Sequence, residues 1–272
     1  MRIAREVATL DSVDVGDHVC WLVASGDDYH GTARSYLTGG ERAGDKMLVI
    51  GTPRTHWLEQ HLPQGLLVDP VVERAEGRPW DAETLLGLVR REAQTAAGQG
   101  FRALRVLAQM DRTWPSGASA WEVARHEMGL DAVAASGKAI VVCSYPRESF
   151  SVPALELVAG VHPHHAGRRM KVPDFRMFCV GKDCWSVSGV VDFDGAAAFG
   201  TAVRELLASA ATLRLHCHDL LLMDAAAMKA LIEAVLSVEG RKVLIEGANS
   251  TVRRNWSLAG YQVPQIPVEL VP

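Results

Sequence analysis

The sequence predicts an α/β protein with two domains: a mostly parallel sheet flanked by helices, followed by a smaller sheet-and-helix domain. Short apolar runs alternate with helical stretches over the first part of the chain, which is typical of βαβ units. The alternation stops in Val161–Pro173, which holds two prolines, three histidines and no clean periodicity. A second set of strands and helices begins near Cys184. We therefore expect one domain over residues 1–180 and another over residues 181–272.

The elements of the N-terminal domain follow from local patterns. Apolar runs predict buried strands at residues 18–24, 46–50, 104–108 and 138–143. Helices are predicted between them at residues 29–43, 81–97 and 119–135, with Asp81 as a cap of the second. Val161–Pro173 is predicted to be a functional loop or an inter-domain connection, and Phe175–Val180 a last strand of this domain. Ligands of parallel sheets bind beyond the carboxyl ends of the strands, which here include the Ser25–Asp28 loop.

The C-terminal domain is predicted to repeat the alternation on a smaller scale. Its strands are expected at residues 185–191, 213–217 and 242–245. Its helices are expected at residues 195–211, 225–238 and 250–258. Gly240 and Gly260 follow the last two helices, where glycine is favoured because it readily adopts a left-handed backbone.

Composition and charge exclude several classes of protein. The net charge of -4 and the pI of about 6.2 offer no general basis for binding nucleic acid. Met1–Val13 lacks the continuous apolar core of a secretory signal. The most apolar stretch, Leu220–Val238, is interrupted by charged residues, so no membrane span is expected. The five cysteines form no CxxC pair and are expected to be reduced in a cytoplasmic protein.

The order of motifs in the C-terminal part resembles a STAS domain, the domain of anti-sigma factor antagonists. Val187–Asp192 is similar to the opening strand of that family, and Leu222–Met228 falls on its signature. Gly240–Leu244 and Val252–Gly260 fit its closing strand and helix, so that the resemblance covers about residues 184–269. It implies binding to an anti-sigma factor or a similar regulatory protein. The signature residues expected to contact that partner are Asp224, Ala225, Ala226, Ala227 and Met228.

The signature differs from the family pattern at the serine positions. In the family, a serine in the first helical turn is phosphorylated by a partner kinase, and the added charge disrupts the interface. Here Ala225 and Ala226 stand at both positions, so the resemblance implies that this switch is lost. Asp224 precedes the helix and can cap its free N–H groups. The surface could still bind a partner, or it could serve as a docking face within the chain or in a homodimer.

The N-terminal part resembles the MEDS domain, named for the methanogen/methylotroph DcmR sensory domain. The similar motifs are Gly16–Trp21, Tyr36–Leu37 and Gly44–Ile50, followed by further matches at Glu127, Cys143–Tyr145, Phe150 and His162–Pro163. The resemblance covers about residues 14–180. It implies a degenerate RecA- or KaiC-like fold and a sensory role with a small organic ligand.

The loop after the first long strand argues against ATP hydrolysis. A phosphate-binding P-loop needs Gly-x4-Gly-Lys-Ser/Thr, and Ala24–Thr32 has no lysine. Two aspartates, Asp27 and Asp28, stand in this loop and would repel a triphosphate. No catalytic motif stands in a recognisable context elsewhere. The sequence therefore predicts a protein that is not an enzyme and carries no cofactor.

The candidate ligand-binding residues of the sensory domain are His18, Cys20, Ser25, Asp27, Glu127, Tyr145 and His162. His18 and Cys20 lie two apart on a strand and point to the same face. Together with Glu127 and the histidines of residues 162–165 they could bind Zn²⁺ or another borderline metal. The simpler interpretation is that Cys20 is a core residue and His18 makes a structural hydrogen bond. Because no ligand pair has a diagnostic spacing, we expect no metal.

These observations predict a cytoplasmic signalling protein, a sensor domain coupled to a protein-binding STAS-like domain. The alternatives are a small-molecule or metal-binding enzyme of unknown reaction, and a scaffold whose C-terminal domain only dimerises.

Overall fold

The computed structural model describes residues 2–51, 82–110, 119–167 and 174–271. The chain divides into two compact units. One comprises Arg2–Leu155 and Pro163–Met170, and the other comprises Glu156–His162 and Lys171–Pro272. The first contains most of the predicted N-terminal domain and the second the predicted C-terminal domain. No helix within the described ranges is long and apolar enough to cross a bilayer.

The first unit is built on a six-stranded sheet in which all neighbouring strands are parallel, in the order β1-β6-β2-β5-β4-β3. The strands are β1 (Arg5–Val7), β2 (His18–Val23), β3 (Lys46–Ile50), β4 (Leu104–Gln109), β5 (Ala139–Pro146) and β6 (His164–Gly167). The continuous apolar runs of β2 to β5 are buried along their length, as in a parallel sheet that is covered on both faces. β2 lies near the middle of the sheet, between β5 and β6.

Within the described residues, the helices of the first unit are α1 (Tyr29–Ala43), α2 (Ala82–Gly98), α3 (Ala120–Val133) and α4 (Val152–Gly160), of which α4 continues into the second unit. A capping box formed by Ser119 and Glu122 fixes the start of α3. α2 packs against α3 at Gly129, where a Cβ would lie 2.5 Å from Leu86. This close approach holds α3 in place. Asp81, the predicted cap of α2, lies outside the described residues.

The second unit is a mixed sheet with three further helices. Its strands are β7 (Phe175–Gly181), β8 (Cys184–Val191), β9 (Thr212–His216), β10 (Leu220–Met223), β11 (Lys242–Glu246) and β12 (Val268–Val271). The order is β10-β8-β9-β11-β12 with parallel neighbours, and β7 pairs with β8 in the antiparallel sense. The helices are α5 (Phe193–Ser209), α6 (Ala225–Leu236) and α7 (Ser250–Leu258).

Side-chain caps start α5, α6 and α7. Asp192, Asp224 and Asn249 each accept a hydrogen bond from the backbone N–H three residues further on. α5 and α6 pack against each other, and their apolar faces enclose Phe199 and Leu231 in the core. The structure thus confirms the predicted α/β fold class for both parts.

Two predicted features are wrong in detail. Val161–Pro173 is not only a loop, because His164–Gly167 forms β6 between β1 and β2. Gly167 has φ +100°, and a Cβ there would lie 2.2 Å from the carbonyl oxygen of Leu22, so only glycine permits this close approach. Phe175–Gly181 does not join the first sheet, because it forms a hairpin with β8 in the second.

Candidate functional site

A cluster of polar side chains is buried on one face of the first sheet. His18 lies on β2, Cys143 and Tyr145 lie on β5, and Glu127 lies on α3. β2 pairs with β5 in a register that places Cys20 opposite Cys143, and residues two apart on a strand share a face. His18, Cys143 and Tyr145 therefore point to the same side. All four side chains of the cluster are fully buried.

The Glu127 carboxylate is the centre of this cluster. Its Oε2 lies 3.2 Å from Nε2 of His18 and accepts a hydrogen bond from the Cys143 thiol at 3.0 Å. Its Oε1 accepts a hydrogen bond from the Tyr145 hydroxyl at 2.6 Å. The Cys143 sulfur also lies 3.6 Å from Nε2 of His18. A buried carboxylate is tolerated because polar partners surround both oxygens.

A second carboxylate lies on the other side of the His18 ring. Asp131 Oδ1 is 3.4 Å from Nδ1 of His18, and Asp131 accepts hydrogen bonds from Arg2 at 2.6 and 3.0 Å. Burial alone would lower the pKa of His18, but Asp131 and Glu127 more than offset it and raise the pKa. Burial opposes ionisation of Asp131, yet hydrogen bonds from His18 and Arg2 lower its pKa to about 2. The ring is thus oriented from both of its nitrogens.

The cluster contains no activated nucleophile. Burial and the nearby Glu127 charge raise the pKa of the Cys143 thiol well above its usual value. The same two causes raise the pKa of the Tyr145 hydroxyl. Both groups therefore stay protonated at neutral pH when nothing else is bound, which is opposite to what a nucleophilic thiolate requires.

The predicted ligand-binding residues do not form a single site. His18, Glu127 and Tyr145 come together in the buried cluster. Cys20 is buried beside it on β2. His162 belongs to the second compact unit, where its Nδ1 donates to the carbonyl oxygen of Val158 at 2.7 Å.

The remaining two residues lie in the exposed loop after β2. The Ser25 backbone N–H donates to the Glu148 carboxylate at 3.2 Å. Asp27 accepts from the Ala24 N–H at 2.8 Å and lines an open groove of about 750 Å³. Asp28 caps α1 through the Gly31 N–H. An aspartate therefore occupies the helix terminus where a P-loop would hold phosphate.

Sequence reasoning missed Cys143 in the cluster and Asp131 beside it. Both carried a signal. Asp131 is four residues after Glu127, a spacing that places two side chains on one helix face. Cys143 is two residues before Tyr145, a spacing that places both on one strand face.

The STAS-like signature is divided between surface and core. Asp224 caps α6, accepting from the Ala227 N–H at 2.9 Å. Ala225 is exposed and Ala226 is half-buried, whereas Ala227 and Met228 lie in the core. Only the first three of the five predicted contact residues thus have accessible side chains.

Comparisons with known proteins agree with this architecture. A family model described as the MEDS, MEthanogen/methylotroph, DcmR Sensory domain matches residues 17–163. A second model, described as a Mlab, STAS domain, matches residues 184–271. A search of curated proteins gave no match. The two matches confirm both resemblances and their order. Since the first match covers more than half of the 272 residues, the chain belongs to the MEDS family, and a STAS-domain match follows C-terminal to its sensory domain.

Proposed function

We propose that this protein is a cytoplasmic, non-enzymatic signalling regulator. Its MEDS domain responds to a small organic ligand, and its STAS domain binds an anti-sigma factor or a similar regulatory protein. The observation that carries this proposal is the tandem order of the two matches, a sensory domain followed by a protein-binding domain.

The surface around the α6 cap supports a protein-binding role for the second unit. Leu221 is 70% exposed on β10, three residues before the capping carboxylate of Asp224. Ala225 adds a small exposed side chain in the first turn of the helix. An exposed leucine beside a carboxylate and a short methyl group offers a partner both apolar contact and a charge.

Covalent phosphate control is not part of the proposal. Residues 219–235 contain no serine, threonine or tyrosine, so no hydroxyl is available in the signature. Control then falls to the sensory domain. The absence of an activated thiol in the buried cluster and of a lysine in the Ala24–Thr32 loop supports a binding role over a catalytic one.

Partner binding can be tested with the full chain against purified anti-sigma factors from the same source. We expect Leu221→Arg to weaken binding at least tenfold, about 1.4 kcal/mol, because it places a charge in an apolar contact. Leu258→Arg is the matched control, since Leu258 is 75% exposed on α7 and outside the signature. Binding that is absent with every candidate partner, or weakened equally by both substitutions, would contradict the proposal.

Whether the signature surface still docks an anti-sigma kinase can be tested separately with Ala226→Ser. This substitution restores a hydroxyl in the first turn of α6, where the family kinase transfers the γ-phosphoryl group of ATP to a serine oxygen. If the docking surface is intact, a cognate anti-sigma kinase should phosphorylate the variant and not the parent chain. No incorporation of labelled phosphate would mean that the surface no longer docks such a kinase.

A further inference from the structure

Three metal-binding side chains of different chemistry converge in the first unit. Nε2 of His18, a carboxylate oxygen of Glu127 and Sγ of Cys143 all lie within 4.8 Å of one another. The separations are 3.2 Å for His18–Glu127, 3.0 Å for Cys143–Glu127 and 3.6 Å for Cys143–His18. Each residue comes from a different element, and all three side chains are fully buried.

These separations are close to those of a tetrahedral metal site. Zinc binds imidazole nitrogen, carboxylate oxygen and thiolate sulfur at about 2.0–2.3 Å, so tetrahedral geometry sets ligand–ligand distances of about 3.3–3.8 Å. The three observed distances differ from that range by a few tenths of an ångström at most. Side chains of this length can make such an adjustment without moving the strands.

Neighbouring groups hold the ligands as they do around protein-bound metals. Asp131 lies against Nδ1 of His18, which leaves Nε2 directed at the other two residues. Tyr145 binds Oε1 of Glu127 and leaves Oε2 toward Cys143 and His18. A histidine ligand whose second nitrogen meets a carboxylate, and a carboxylate ligand that is itself hydrogen-bonded, are the usual surroundings of a metal site.

We propose that His18 Nε2, Glu127 Oε2 and Cys143 Sγ bind one divalent transition-metal cation, with Zn²⁺ as the best fit. Imidazole and thiolate favour borderline cations over Mg²⁺ and Ca²⁺, and the carboxylate is compatible with both classes. On binding, the cation displaces the thiol proton of Cys143 and any proton on Nε2 of His18, and these protons are released to solvent, so that the thiolate and an unprotonated Nε2 bind the cation. Three protein ligands leave the fourth tetrahedral position to water or another donor. This site goes beyond the proposed signalling function and does not depend on it.

The test is metal binding by the full chain after chelator treatment. The expected result is one Zn²⁺ per chain by elemental analysis, and a thiolate-to-cobalt charge-transfer band when Co²⁺ is added instead. Cys143→Ser should abolish that band and weaken Zn²⁺ binding more than the 10–100-fold typical of losing a neighbouring group. Circular dichroism checks that each variant is folded.

Two other cysteines supply controls. Cys20→Ser removes an equally buried thiol, directly opposite Cys143 on the neighbouring strand, and should keep both the metal and the band. Cys184→Ser removes a thiol that lies 3.1 Å from His216 in the second unit, and so excludes metal bound there. Asp131→Asn, which keeps the side-chain volume, should weaken metal binding about 10–100-fold. It supplies the test if Cys143→Ser fails to fold.

Three results would overturn the proposal. They are no stoichiometric metal in the parent chain, unchanged binding by both Cys143→Ser and Asp131→Asn, and equal loss of metal from Cys20→Ser and Cys143→Ser. Because none of these experiments uses a protein partner, failure here leaves the signalling proposal to its own test.

Discussion

Tyr145→Phe is the sharpest perturbation of the buried cluster. The substitution keeps the aromatic ring and removes only the hydroxyl, which donates to Glu127 at 2.6 Å. Both side chains are fully buried, so water cannot replace the lost donor without repacking. Hydrogen bonds to charged groups contribute about 1.5–3 kcal/mol net, and a short bond belongs in the upper part of that range. We expect a loss of about 2–3 kcal/mol in the stability of the first unit.

Tyr36→Phe provides the matched control. Tyr36 is also fully buried in the first unit, but its hydroxyl donates to a neutral acceptor, the carbonyl oxygen of Val106, at 3.1 Å. A neutral hydrogen bond contributes about 0.5–1.5 kcal/mol. Phenylalanine keeps the ring face that contacts Arg105. The two variants therefore differ mainly in the charge of the acceptor.

The measurement is thermal and urea unfolding of metal-free protein, with hydrogen exchange of β5 reporting on the first unit alone. Since 1 kcal/mol shifts Tm by about 2–4 °C for 150–250 residues, Tyr145→Phe should lower Tm by about 4–12 °C. Tyr36→Phe should lower it by about 1–6 °C. If Tyr145→Phe costs no more than Tyr36→Phe, the Glu127 carboxylate does not hold the cluster together as argued.

Three further predictions concern caps, ion pairs and thiols. Asp224→Ala should destabilise the start of α6 by about 1 kcal/mol. Asp224→Asn should cost only a few tenths of a kcal/mol, because its amide oxygen can still accept from the Ala227 N–H. Hydrogen exchange at the start of α6 measures both effects. Asp45→Ala should cost about 3–5 kcal/mol in urea unfolding, because it removes the carboxylate that accepts from the buried Arg105 at 2.8 Å. Burial raises the pKa of the Cys217 thiol from 9.0 to about 12, so the stability of the second unit should fall as the pH rises from about 9 toward 12. A thiol reagent at pH 8 should react with Cys217 only after the unit unfolds.

The sequence could predict some of the side chains of the buried cluster but not which of them meet. Two-residue spacing on β2 placed His18 and Cys20 on one face, and the resemblance to the MEDS domain pointed to Glu127. Whether Cys20 or Cys143 touches the carboxylate depends on strand register and on the position of α3. A single sequence does not specify that register, because it follows from packing across the whole sheet.

Of the strands that were not predicted, β6 lacks the apolar signal on which the prediction depended, whereas β10 and β12 are short, mostly apolar segments. β6 reads His-His-Ala-Gly, yet it is an interior strand with β1 on one side and β2 on the other. Backbone hydrogen bonds from both neighbours hold it where apolar side chains do not. β7 was predicted as a strand at residues 175–180, but its pairing with β8 was not, although that hairpin carried a usable signal. Lys182 and Asp183 stand between two apolar runs as a two-residue connection, and the positive φ of Asp183, 53°, suits a hairpin turn.

In the proposed function, the alanines of the signature imply a quantitative requirement for the sensory domain. Moving a regulator from 1:99 to 99:1 between two states takes about 5.5 kcal/mol of differential binding. In related STAS domains a serine phosphate adds nearly two charges directly at the interface. In the proposed function Asp224 caps a helix that receives no such charge. A ligand of the sensory domain must then favour one state of the chain over the other by about 10⁴-fold to achieve the same switch. A weaker preference would make the protein a graded regulator, and partner affinity measured across ligand concentrations distinguishes the two.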